Sequence, residues 1–426
     1  MKCKYLFFIS LYLLSQITFS QEKTIASFVI NGAKKTKISF LKSLIDTRVN
    51  TPLDSIMLKK DVIELKRLSA IRHAGFQVKE LQNNKVAVSI YIEENFTIIP
   101  DVSFWSATNN VFAYKLGVYE YNFLGRNITI GGFYQNNGFS STAFNFKAPN
   151  LFSKNWGLAF NYLNWKSKEP IFVNGLAPLY LYNNRSFEAL GLYKINFKNK
   201  IDFGINFFRE KFNYLSGDIP EGVVQELDEN KTLFKTVYTY DSLDYYYHYV
   251  SGFKSVFYGQ YVITDNEAQD KFLIAWNDFF YYKRVKKKGN WATRLRFGLA
   301  TNNDSPFAPF ALDNNVNVRG VGVIVDRGTG SIILNTEYRH TLYDKKNITI
   351  QTNTFLDAGT WRNPGGSFND FTNTNNMRVY SGIGLRFISK KIYNATFRID
   401  YGFSLTNGLD SSESTKGLVF GLGQYF

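Results

Sequence analysis

Residues 331–358 read SIILNTEYRHTLYDKKNITIQTNTFLDA, and their alternation decides the fold class. In 331–340, Ile332, Leu334 and Tyr338 share one parity, while Ser331, Asn335, Glu337 and Arg339 share the other. A short turn at 343–345 follows. Ile348, Ile350 and Leu356 then face one way, and Gln351, Asn353 and Asp357 the other. Side chains of a strand alternate between two faces, so each strand has one apolar and one charged face. A soluble sandwich gives similar strands, but it does not gather so many charges on a single interior face. Lipid outside and a water-filled lumen inside account for the pattern.

The same alternation runs through 96–426. Sixteen strands are predicted: 98–106, 111–121, 127–137, 140–148, 155–166, 184–197, 200–212, 231–241, 251–262, 269–283, 290–301, 331–342, 346–358, 377–389, 393–404 and 416–426. Every second connection is a short turn, at 122–126, 149–154, 198–199, 242–250, 284–289, 343–345 and 390–392. The others include the long loops 167–183, 213–230, 302–330, 359–376 and 405–415, with three short ones at 107–110, 138–139 and 263–268. In 395–403, Phe397, Ile399 and Tyr401 oppose Arg398 and Asp400. In the last strand, Leu418, Phe420, Leu422 and Phe426 share a face, with Gly417, Gly421 and Gly423 on the other. Glycine weakens a strand, which eases parting of the barrel seam. The fold class is mainly β: a 16-stranded antiparallel transmembrane barrel.

Composition agrees. The 426 residues include 40 Phe, 28 Tyr and 31 Gly, with 17% aromatic and only 45% hydrophobic content. The mean hydropathy of −0.22 is too low for a helical membrane protein. One cysteine builds neither a disulfide framework nor a zinc-cysteine site. The net charge of +15 is spread along the chain, with one dense run at Lys286-Lys287-Lys288. Nucleic-acid binding calls for a concentrated stripe, so no nucleic acid is expected as a partner. Lys2 and Lys4 precede an apolar stretch from Tyr5 to Leu14, and small and polar residues follow to Ser20. This reads as a signal peptide over 1–20, for which the apolar stretch is long enough and a membrane anchor is not.

Residues 23–94 carry a different pattern. Thr24 to Ile30 is strand-like, and Asn31-Gly32 marks a turn. Phe40, Leu41, Leu44 and Ile45 recur at helical spacing, and so do Met57, Val62, Leu65 and Leu68 after Pro52 and Asp54. Gly75-Phe76 opens a strand, Asn83-Asn84 is a hairpin signal, and Val86, Val88, Ile90 and Ile92 alternate. The order β-α-α-β-β, with Ile30-x-Gly32, Lys35-Thr36, Leu68, Gly75-Phe76 and Val88-x-Ile90-x-Ile92-Glu93, resembles a POTRA domain. That resemblance implies capture of extended peptides at an exposed strand edge, with 84–94 expected to supply the edge. The alternative is a plain spacer.

The loop 302–330 carries Asn317-Val318-Arg319-Gly320. This resembles the Val-Arg-Gly-aromatic motif of the BamA/TamA-type superfamily, which assembles or translocates outer-membrane proteins; Val321 stands where an aromatic residue is usual. Further matches follow in family order: Asn335-x-Glu337-x-Arg339, the run from Phe355 to Gly359, the run from Gly382 to Arg386, and the run from Phe397 to Tyr401 with Arg398 and Asp400. Asn122-x-x-Gly125 and Pro149 fit near the barrel start. The resemblance implies a loop locked into the lumen by Val318, Arg319 and Gly320, with Arg319 paired to Asp357 and Glu337 as a second acceptor. Arg319 as a solvated loop residue is the alternative. An isolated pair implies that exchanging its two charges restores function.

No catalytic chemistry is legible. There is no Gly-x-Ser-x-Gly elbow, no P-loop and no dinucleotide fingerprint. His73, His248 and His340 lack metal spacing. No enzyme activity, cofactor or metal is expected. The resemblance implies a bacterial outer-membrane barrel (96–426) with a periplasmic POTRA-like domain (23–94). Its partners are client outer-membrane or secreted polypeptides, outer-membrane lipid and accessory lipoproteins. A translocator dedicated to one exported partner and a passive porin-like barrel stay open as alternatives.

Overall fold

The computed structural model describes residues 22–106, 112–171, 176, 178–219, 221–264, 271–302, 308–312, 317–321, 326–392, 395–405 and 416–422. The leader segment 1–20 and the terminal Phe426 lie outside the described residues.

The first unit comprises β1 (Thr24–Asn31), α1 (Ile38–Leu44), α2 (Ser55–Lys66), β2 (Ile71–Glu80) and β3 (Lys85–Glu94). Helix α2 starts at Asp54, whose carboxylate accepts from Ile56 N at 2.7 Å and Met57 N at 3.1 Å, satisfying amides that have no partner within the helix. Asn83 and Asn84 both take positive φ, 58° and 53°, as a type I′ hairpin turn requires. Val86, Val88, Ile90 and Ile92 pack the sheet against Leu41, Leu44, Leu58, Val62 and Leu65. The buried Asp61 carboxylate accepts from Asp46 N, Thr47 N and the Thr47 hydroxyl, pinning the link between the helices.

One expectation is corrected here. The strand order is β1-β3-β2, so the 85–94 strand is central and offers no edge. Its hydrogen bonds are taken by β1, in parallel, and β2, antiparallel. The edges are β1 and β2. The start of β1 is covered by the segment at 50–53: Ile25 N donates to Thr51 O and Asn50 N to Ile25 O. Beyond β3, the outer edge of β2 from Ala74 to Glu80 has no backbone partner among the described residues.

The barrel begins with β4 (Ile98–Ser106), β5 (Phe112–Phe123), β6 (Ile128–Asn136), β7 (Ser140–Ala148) and β8 (Trp156–Pro170). It continues with β9 (Leu179–Lys194), β10 (Asn199–Ser216), β11 (Glu226–Asp241), β12 (Asp244–Tyr246) and β13 (Tyr249–Thr264). Then come β14 (Phe272–Val285), β15 (Gly289–Ala300), β18 (Gly330–Asp344), β19 (Ile348–Arg362), β20 (Met377–Ser389), β21 (Thr396–Ser404) and β22 (Lys416–Leu422). The short β16 (Phe310–Leu312) and β17 (Asp326–Gly328) pair with each other in the long loop. The sheet closes where β22 meets β4.

All sixteen predicted strands are present, and β12 is an addition to them. The expected plain turn at 242–250 folds back on β13, with Asp244 opposite Ser251 and Tyr246 opposite Tyr249. Leu243 buries against Tyr282 and Ala292, which holds the fold-back in place. The predicted loops 167–183 and 213–230 are strand at both of their ends, at 167–170 and 179–183 and at 213–216 and 226–230. Their residues Tyr180 and Leu227 close on Ile171 and on Phe212 of the predicted strand 200–212 as an inward apolar cluster, and that packing extends β8 to β11 to between 15 and 18 residues.

The two faces are inverted relative to a soluble protein. Phe207, Phe257, Phe297, Leu356, Ile383 and Leu418 are exposed outside, while Asp278, Arg294, Glu337, Asp357, Arg386 and Asp400 are buried inside. Such a wall is stable where hydrocarbon replaces water outside it and every backbone group is paired in a closed sheet. Among the described residues no helix is long and apolar enough to cross a membrane. Ile383, in the middle of β20, tests this. Ile383→Arg is expected to destabilise the barrel in lipid vesicles by about 2–4 kcal/mol, read as a lower denaturant midpoint. The same change at Ile56, 80% exposed on α2, is expected to leave the midpoint unchanged.

Candidate functional site: the anchored loop and the barrel mouth

The loop between β15 and β18 turns back into the barrel. Its tip is fully enclosed: Asn317, Val318, Arg319 and Val321 are all buried. A buried guanidinium needs partners for its charge and its five N–H donors. Three strands supply them, β18, β19 and β21. Arg319 Nε donates to Asp357 Oδ2 at 2.8 Å and Nη2 to Asp357 Oδ1 at 3.0 Å, the bidentate geometry that suits a planar fork. The Arg319 backbone N–H donates to the same carboxylate at 3.0 Å. Nη1 donates to Glu337 Oε2 at 2.6 Å and lies 3.7 Å from Asp400 Oδ1. The guanidinium carbon stacks 3.8 Å from the Phe355 ring centroid.

Glu337 holds a more central position than a second acceptor. Arg319, Arg339 and Arg386 all donate to it, with Arg386 Nη2 at 2.8 Å from both oxygens. Asp400 receives Arg398 Nη1 at 3.1 Å and Asn353 Nδ2 at 3.1 Å. Asn335 Nδ2 holds the Asn317 carbonyl at 2.7 Å, and Arg294 Nη2 holds its side-chain oxygen at 2.9 Å. Asp278, in turn, pairs with Arg296 at 2.7 Å.

Absent side chains make the room. A Cβ on Gly359 would meet Leu312 Cδ2 at 2.6 Å and Val318 Cγ2 at 3.2 Å, so this glycine admits the loop. A Cβ on Gly384 would meet Asp400 Oδ1 at 2.2 Å and Asn353 Oδ1 at 2.6 Å. Val321, where the resembled motif has an aromatic residue, is buried in one cluster with Leu312, Val318, Trp361 and Tyr380. Gly320 has φ of 94°, which disfavours any side chain. Its backbone lies against Gly402, where an added Cβ would meet Gly402 Cα at 2.9 Å. Gly402 is paired with Gly417 across β21 and β22, and a Cβ on Gly417 would meet Gly320 O at 3.3 Å. The tip therefore touches the closing strand directly.

Of the residues singled out in the sequence, Val318, Arg319, Gly320, Asn335, Glu337, Arg339, Asp357, Gly359, Arg386, Arg398 and Asp400 meet in this cluster. Leu418, Phe420 and Leu422 do not; they are exposed on the outer face of β22. Asn353 and Gly402 join the cluster with no motif pointing to them, Phe355 comes from the run that ends at Gly359, and Gly417 is one of the glycines of the last strand. Lumen parity marks Asn353 and Phe355, but no spacing marks the Gly402–Gly417 pair, because strand register decides it.

A second constellation joins the small unit to one barrel end. Glu94, closing β3, accepts from Lys35 N at 3.0 Å and Thr36 N at 2.8 Å. The same turn meets the first short barrel turn: Lys37 N donates to Gly125 O at 3.0 Å and Asn122 Nδ2 to the Thr36 hydroxyl at 3.1 Å. The pairs Lys35-Thr36 and Asn122-x-x-Gly125 are thus two halves of one contact. Arg67 Nη2 donates to Asp241 O at 2.9 Å, Lys194 pairs with Glu64 at 2.6 Å, and His73 stacks on Tyr247 with ring centroids 5.1 Å apart.

No protein-family model matches the chain, and no curated protein matches it either. Among solved structures it is similar to CdiB from Acinetobacter baumannii, with a TM-score of 0.60 and 14% identity over 94% of this chain and 73% of that one. It is similar to CdiB from Escherichia coli, with a TM-score of 0.55 and 11% identity over 95% and 91%. It is also similar to BamA from Haemophilus ducreyi lacking POTRA domains 1–3, with a TM-score of 0.54 and 14% identity over 93% and 84%. The fold is that of the BamA and CdiB barrels, the fold implied by the resemblance to the BamA/TamA-type superfamily.

Removing Arg319 leaves buried carboxylates under-compensated. Arg319→Ala is expected to cost about 3–5 kcal/mol and to make the 308–328 loop protease-sensitive in the inserted barrel. Arg319→Lys keeps the charge but not the fork and is expected to fall between. Because Glu337 and Asp400 also face Arg319, Arg319→Asp combined with Asp357→Arg is expected not to restore stability.

Burial pushes the Glu94 carboxyl up, but the backbone N–H groups of Lys35 and Thr36 outweigh it and hold the pKa below the usual 4.5. A lowered folded value means stabilisation that is complete above the ordinary value and lost as pH falls through the lowered one. The docking at Asn122 and Gly125 is therefore expected to loosen below about pH 4.5. Spin-label distances between Ile56 and Leu151 would broaden there, and Glu94→Gln would remove the pH dependence.

Proposed function

We propose that this chain is a non-enzymatic outer-membrane barrel that assembles or translocates client polypeptides. Residues 23–94 act as a periplasmic POTRA-like domain. An extended client segment adds to the free edge of β2, where main-chain hydrogen bonds supply affinity with little sequence demand. The client then pairs at the β22–β4 junction. An unpaired strand in hydrocarbon leaves its polar groups unsatisfied, so a templating edge lowers the barrier to insertion.

The observation that carries this reading is the loop tip. Arg319 is fixed to β18 and β19, and Gly320 rests against β21 and β22. A passive porin has no need of a lumen loop anchored to its own seam. The second reading, passage of one exported partner through the lumen, is favoured by the cavity at the mouth beneath it. Outer-membrane lipid surrounds the barrel in either case, and accessory lipoproteins would bind the small domain.

Photocrosslinking in cells separates the readings, with probes at Gln77 on the free edge, Val102 on β4 and Leu418 on β22. Adducts with many different outer-membrane barrels are the expected result. One secreted partner would indicate a dedicated translocator, and no protein adducts would indicate a pore.

A further inference from the structure

A cavity of about 550 Å³ lies between the small unit and the barrel mouth. Its walls come from α2, from the start of β2, and from the barrel turns near 149, 196, 245 and 390. Eight lysine and arginine residues line it against three carboxylates, Glu64, Asp202 and Asp241. Several of the cations are neutralised. Lys194 pairs with Glu64, Arg67 with Asp241 and Lys66 with Asp244. Lys198 and Lys200 have no carboxylate within ion-pair distance among the described residues, and Lys147 reaches Asp202 only at 3.8 Å. The excess positive charge therefore sits on the barrel wall of the cavity, around the start of β10.

The position of β2 gives this charge a direction. Ile71 and Arg72 of β2 line the cavity, and the free edge from Ala74 to Glu80 runs away from it. A segment added to that edge would continue past Ile71 into the cavity. Phe197, Tyr193 and Tyr245 offer apolar contact along the way.

We propose that this vestibule receives an acidic extended polypeptide segment, held by Lys147, Lys198 and Lys200 as it leaves the edge of β2. The proposal rests on the edge-capture reading above and adds the charge class of the client. A concave site lined by one sign of charge concentrates the opposite sign and rejects its own.

The test uses the full chain in lipid nanodiscs and two fluorescein-labelled synthetic peptides. They share an alternating strand sequence and differ in carrying four Glu or four Lys on the polar face. Fluorescence anisotropy is expected to give about tenfold or more tighter binding of the acidic peptide at low salt, with the preference shrinking at high salt. K198E combined with K200E is expected to abolish or invert the preference; both side chains are exposed, so the barrel should keep its gel mobility. Equal binding of both peptides, lost in Val78→Pro, would overturn the vestibule proposal and leave edge capture standing. An acidic preference unchanged in K198E/K200E would overturn the assignment to these lysines. Binding of neither peptide would overturn both readings.

Discussion

The structure depends on one buried guanidinium. Arg319 has no contact with bulk water, and a buried charge is tolerated only with close, well-directed partners. Asp357, Glu337 and Asp400 provide them from three strands. Those carboxylates can face inward only if the strands around them hold a lumen-polar parity, and they crowd together only where Gly359 and Gly384 leave space. Each part of the loop anchor thus constrains the wall around it. Glu337 shares its charge among three arginines, so the cluster behaves as a network and not as a single pair.

The anchor also sets what the loop touches. With Arg319 fixed, Gly320 lies against Gly402, and Gly417 stands beside it on the closing strand. Glycine on both sides lets two backbones approach where side chains would separate them. The inner loop and the sheet closure are therefore mechanically adjacent. At the opposite end of the strands, the small unit is tied to the first barrel turn through Thr36 and Asn122 and, through Arg67, to Phe197 at the third and Asp241 at the fourth. Its free edge stands beside a positively charged mouth.

Much of this was legible in the chain. Period-two alternation with charges on one face has few explanations, so the existence of the sixteen long strands and their lumen parity could be read, while the short β12 could not. The second helix of the small unit followed from Asp54 and the apolar spacing of Val62 and Leu65, although its buried face starts at Leu58 and leaves the predicted Met57 exposed. Less was legible where packing overrode local chemistry. Tyr180 and Leu227 looked like loop residues and became strand because they bury against each other and Phe212. Leu243 did the same for the fold-back at β12.

What the sequence by itself determined is the class of object: strands with an apolar outer face and a charged inner one, a compact β-α-α-β-β unit ahead of them, and an arginine with a carboxylate to meet. These follow from parity, spacing and residue type, which are local properties. Only the tertiary structure decided that β3 is central and β2 carries the free edge. The same holds for Glu337 serving three arginines and for the closeness of Gly320, Gly402 and Gly417. Those facts depend on strand order and register, which bring Gly320 beside Gly402 and Gly417, 82 and 97 positions along the chain, and no local pattern encodes them.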